Sequence, residues 1–154
     1  MKDPKFLFGA LIAIILLGLY AFSLGDAIQL ALREVPKGAT PDKLLPGVGT
    51  TLSTVGGLVS ALVIAVLAIS KPGEQPGQRV LANANPNVEP SATEMRVVGL
   101  ISSIYVLVWI LFGLAAYIVG EMLRQDAVPA LTDFARAWLG LAVAAGYSYF
   151  GLKQ

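Results

Sequence analysis

The chain has 154 residues, of which 56% are hydrophobic and 14% charged, and its net charge is +1. Soluble domains carry roughly 25% charged residues, so this balance makes lipid the expected solvent and leaves no basic field for nucleic acid. Cysteine and histidine are both absent, which excludes disulfides, thiol chemistry, iron–sulfur clusters, His-ligated haem and the usual zinc sites.

The first apolar run, Phe6 to Gly25, is free of charge, follows Lys2 and Lys5, and ends at Asp26. A spanning helix needs about 20 mainly apolar residues, because each adds about 1.5 Å across a hydrocarbon core of about 30 Å. Ala21-Phe22-Ser23 has the small residues of a signal cleavage site. The run before Asp26 is longer than a usual signal core, so it reads as a span that stays in the protein. Asp26 to Arg33 is expected to prolong this helix beyond the membrane until Pro36-Lys37-Gly38 stops it. Thr40-Pro41-Asp42 looks like a further helix start, with a capping hydroxyl and a proline at the first helical position.

The second run, Val48 to Ser70, lies between Pro46-Gly47 and Lys71-Pro72-Gly73. It carries a row of small residues spaced four apart: Gly49, Ser53, Gly57, Ala61 and Ala65. Positions four apart share a helix face, and small residues let helix backbones approach closely in lipid. The row is therefore expected to mark helix–helix contact, inside the bundle or with another subunit. Thr50, Thr51, Ser53 and Thr54 are expected to bond back to helix carbonyls rather than to line water. Thr54-Val55-Gly56 has the residue order of a potassium filter, but no aromatic, no following Gly-Asp and no preceding pore helix.

Residues 71–94 form the one hydrophilic stretch, expected to run as a loop in water, and Ser91-Ala-Thr-Glu94 matches a capping box at the start of the next helix. The third span is expected over Val97 to Gly120, between Arg96 and Glu121. Arg124 to Asp133 makes a short connection. The fourth span is expected over residues 134–152, with Arg136 and Lys153 snorkelling to the headgroups. Gly140, Ala144 and Ser148 repeat the spacing of four there. Trp109 falls mid-span, where its indole N–H needs a buried acceptor, while Trp138, Tyr147, Tyr149 and Phe150 fit an interfacial aromatic belt.

Ile14 to Asp26 can be laid over Trp109 to Glu121, placing Gly18 on Gly113, Gly25 on Gly120 and Asp26 on Glu121. The chain then reads as an all-α membrane protein of four transmembrane helices in two tandem helical hairpins. The glycine pairs join the expected packing positions, whereas Ile12, Ile15, Leu16 and Leu19 form a bulky face for lipid or another subunit. Four spans put both termini on one side, and Lys2 and Lys5 make that side cytoplasmic, in a plasma or inner membrane.

No span interior holds Asp, Glu, Lys or Arg, which argues against ion- or proton-coupled transport. No acid, base, nucleophile or phosphate loop forms a catalytic constellation, so the expectation is a non-enzymatic protein without cofactor or metal. Its expected partners are the lipid bilayer and other membrane chains or itself. The leading expectation is an accessory or scaffold subunit of a membrane assembly. The alternative is a homo-oligomeric pore, channel-like or holin-like, with Asp26 and Glu121 as pore-mouth carboxylates.

Overall fold

In a computed structural model, residues 4–33, 48–70, 92–123 and 127–150 are described, and 96% of them are helical with no strand among them. The helices are α1 (Pro4–Leu32), α2 (Val48–Ile69), α3 (Ala92–Tyr117) with a π-helical turn (Ile118–Leu123), and α4 (Pro129–Phe150). The 29 residues of α1 reach about 43 Å at 1.5 Å per residue, so its last turns extend past a single hydrocarbon core, in line with the prolongation expected beyond Asp26. The prolines at 36 and 41, the middle loop through Ser91 and the chain ends lie outside the described residues.

Among the described residues, three helical stretches are long and apolar enough to cross a membrane: Phe8–Leu32, Gly49–Ile69 and Met95–Leu123. The fourth helix starts at Pro129, ahead of the expected Phe134, because proline suits the first helical turn. The Val128 carbonyl there accepts from the backbone N–H groups of Leu131, at 2.9 Å, and Thr132, at 3.3 Å. Asp133 and Arg136 thus stand in the first two turns of α4, which is why it falls outside the set of clearly apolar stretches. Its outer face is nonetheless apolar, with Leu139, Val143, Tyr147 and Phe150 exposed.

The helices run alternately up and down. Gly113 lies against Trp138 and Gly120 against Leu131, which sets α3 and α4 antiparallel. Gly49 faces Ala130 and Gly56 faces Phe134, so α2 and α4 run parallel. Tyr20 meets Trp109 and Gly25 meets Phe112, so α1 and α3 run parallel too. The two hairpins are therefore α1–α2 and α3–α4, and α2 and α4 pack most extensively.

The exterior of this molecule is as apolar as its interior. Leu11, Ile12, Ile14, Ile15, Leu19, Leu58, Leu62, Leu107, Ile110 and Leu111 are all exposed, as helices in hydrocarbon require. Because lipid tails are as apolar as leucine, burial alone does not hold such helices together, and close packing with internal hydrogen bonds must do so. The core supplies both through Tyr20, Leu24, Ala27, Leu52, Val59, Ser60, Trp109, Ala116, Leu131 and Trp138.

Positions paired by the expected duplication have different surroundings. Trp109 is 2% exposed, whereas Ile14, laid on it, is 54% exposed. Gly113 is covered by Trp138, whereas around Gly18 an added Cβ would meet nothing within 4 Å. The tandem hairpins are present as architecture, and the aligned residues do not play matching parts in it.

Candidate functional site

Three places in the bundle bring polar or unusually shaped features together. The first is the central layer, where Tyr20, Ser60, Trp109 and Trp138 meet, one from each helix. Trp109 Nε1 donates to Ser60 Oγ at 2.9 Å, which supplies the buried acceptor that its mid-span position demands. Tyr20 donates its hydroxyl to the Trp109 carbonyl at 3.2 Å, an oxygen that also belongs to the helix ladder. The Trp109 and Trp138 rings sit 5.5 Å apart and tilted, and Tyr20 meets Phe134 edge-on at 6.1 Å.

Trp138 is only 5% exposed and lies in this layer, not in the interfacial belt expected for it. Its ring fits because Gly113 opposite it has no side chain: a Cβ there would overlap Trp138 Cε2 and Nε1. Gly56 plays the same part under the ring of Phe134. Among the described residues, two buried side-chain polar atoms, Tyr105 Oη and Trp138 Nε1, have no hydrogen-bond partner. This centre contains hydroxyls and indoles but no carboxylate or amine, and its chemistry is that of a packed, hydrogen-bonded lock.

The second place is the turn from α3 into α4. The π-helical turn Ile118–Leu123 takes Gly120 against the Leu131 backbone, with an ideal Cβ only 3.3 Å from that carbonyl oxygen. Thr132 Oγ1 donates to the Gly120 carbonyl at 2.8 Å, which satisfies an oxygen at the irregular end of the helix. Beside it Arg136 grips Glu121 with two hydrogen bonds, from Nε at 3.0 Å and from Nη2 at 3.1 Å. Glu121 is thereby engaged within the chain, while Asp26 is exposed on α1. The two carboxylates expected as an equivalent pair at a pore mouth thus have unlike settings.

The third place is the outer surface of α2. Gly49 is half-buried, with an ideal Cβ 3.4 Å from Ala130 Cβ, but Ser53, Gly57, Ala61 and Ala65 are exposed. Ser53 Oγ bonds back to the Gly49 carbonyl at 3.0 Å. The intramolecular contact expected of this row is made instead by Leu52, Gly56, Val59, Ser60 and Val63. The reason is angular. Four residues turn a helix by about 400°, so each step of four drifts about 40°, and five positions sweep about 160° of the surface. A row that starts against α4 therefore ends facing away from it.

On α4 the row begins on the surface: Gly140 and Ala144 are exposed and Ser148 half-buried, with nothing within 4 Å of a Cβ at Gly140. Gly25 is half-buried and looks toward Phe112 at 3.9 Å, and Gly18 faces outward. The structure thus brings Gly49, Gly113 and Gly120 into close helix contact and leaves Gly18, Gly57, Gly140, Ala61, Ala65 and Ala144 on the surface. Residues that sequence reading passed over include Gly56, Ser60, Tyr20 and Thr132. For Ser60 the available signal was a hydroxyl inside an otherwise aliphatic half-span.

No family model matches the chain, and no curated protein and no solved structure matches it either.

Proposed function

We propose that this integral membrane protein is a non-enzymatic accessory or scaffold subunit that works by packing its outer helix faces against other membrane chains. The observation that supports this reading is the outward position of Gly57, Ala61 and Ala65 on α2. Small residues give little contact to acyl chains but permit close backbone approach by a partner helix. A Cβ on Gly57 would meet nothing within 4 Å, so the described residues leave this face unfilled. Among the described residues, the middle of the bundle is occupied by Tyr20, Trp109, Phe134 and Trp138, which favours a contact role over solute passage through one copy. We place the protein in a plasma or inner membrane with both termini in the cytoplasm, on the strength of Lys2 and Lys5 before the first span.

The test is the mass of the particle extracted in a mild detergent. A stoichiometric complex with different membrane chains, lost in Gly57→Leu while the bundle stays folded, is the expected result. A closed ring of this chain alone that conducts ions in liposomes would overturn the reading in favour of a pore.

A further inference from the structure

A groove on the outside of the first hairpin has a shape and position that suit a lipid. It is lined by Gly9, Ile12, Ala13 and Leu16 of α1 and by Leu58 and Leu62 of α2, and has a volume of about 280 Å³. The groove is open along one side, so a chain could enter it from the surrounding hydrocarbon. Its walls are aliphatic side chains and a bare glycine, so it offers nothing to a polar ligand. Along α1 the lining runs from Gly9 to Leu16, about 10 Å at 1.5 Å per residue, which is parallel to the way an acyl chain lies in a leaflet.

The groove also lies at the correct depth. Gly9 is the fourth residue of the apolar run that begins at Phe6, so the groove lies in the first turns of the span and runs inward from there. It is continuous with the lipid-facing surface of the same hairpin, where Leu11, Ile15 and Leu19 are exposed. In sequence, Lys2 precedes α1, Lys5 lies in its first turn, Asp3 stands between them, and Lys71 follows α2, which leaves an excess of cations. Those cations favour an anionic headgroup at this membrane face and disfavour a second copy carrying the same charges.

We propose that this groove holds one acyl chain of a phospholipid as a retained lipid, distinct from the mobile lipids around the rest of the bundle. The inference rests on the membrane-spanning reading of α1 and α2 and is independent of what packs on Gly57. The probe is native mass spectrometry of the full chain taken from vesicles of phosphatidylcholine and phosphatidylglycerol and stripped with a mild detergent. The wild type should keep one phospholipid. Gly9→Leu should keep at least fivefold less, because an added side chain enters the groove while its Cβ meets nothing within 4 Å and the fold is undisturbed. Unchanged tryptophan fluorescence verifies that fold, and Leu58→Phe, which narrows the groove from α2, is the second variant should Gly9→Leu fail to fold. Equal lipid retention in wild type and folded variant overturns the proposal. So does a wild-type dimer that Gly9→Leu separates, since the occupant is then another copy. If the chain is recovered in soluble form without detergent, the membrane reading itself fails, an outcome separate from either of these.

Discussion

Gly113→Ala is the substitution whose outcome the central layer dictates most sharply. Taken alone, glycine to alanine inside a helix is favourable by about 1 kcal/mol. Here the added methyl overlaps the indole of Trp138, and that ring is 95% buried with Trp109 behind it. Overpacking of this kind costs about 1–3 kcal/mol. Displacing Trp138 from Trp109 removes an aromatic contact worth about 0.5–1.5 kcal/mol. Setting these against the helix gain leaves a net destabilisation of about 2 kcal/mol. Gly18→Ala is the internal control, because the same change on α1 meets nothing within 4 Å and keeps only the helix gain. Unfolding in mixed micelles, followed by the fluorescence of the two tryptophans, measures both. The pair should diverge by about 3 kcal/mol, with a shifted emission maximum for Gly113→Ala alone. Equal stabilities with unchanged emission would refute the placement of Trp138 over Gly113.

Other substitutions probe the same interior by the same unfolding assay. Ser60→Ala leaves the Trp109 indole N–H without its acceptor and should destabilise by about 1–2 kcal/mol, with altered Trp109 emission in a Trp138→Phe background. Tyr20→Phe removes the bond to the Trp109 carbonyl and should cost about 1 kcal/mol, whereas Tyr105→Phe removes a buried hydroxyl without partner and should be neutral or stabilising. Thr132→Val frees the Gly120 carbonyl in the π-helical turn; it should cost about 1 kcal/mol and raise amide exchange there first.

Three of the elements were legible in the sequence, because their apolar runs are bounded by charge or proline and are long enough to cross a bilayer. The start of α4 was misplaced because Pro129 opens a helix even where Asp133 and Arg136 lower its apolarity. The faces were harder to read. A row such as Gly49 to Ala65 looks continuous on paper, but the helix turns it from the Ala130 contact to open surface. In a soluble helix the polar residues would have marked the outside, whereas here both sides are apolar and hydropathy carries no such contrast. Gly56 and Gly57 are neighbours in sequence with opposite roles, one beneath Phe134 and the other facing out. Only the three-dimensional positions of the aromatic rings separate them. Trp138 was drawn to the interface by its place near a span end, and the gap opposite Gly113 drew it inward instead.

Whether the bundle crosses the membrane four times can be tested through the absence of cysteine from the sequence. Single cysteines placed at Gln125, between α3 and α4 in sequence, and at Gln154, after α4 in sequence, are exposed to a membrane-impermeant thiol reagent in sealed vesicles. Four crossings predict that the two sites label from opposite sides of the membrane. Labelling of both from one side would mean that α4 does not cross, and the up-down bundle with its termini on a common face would have to be abandoned.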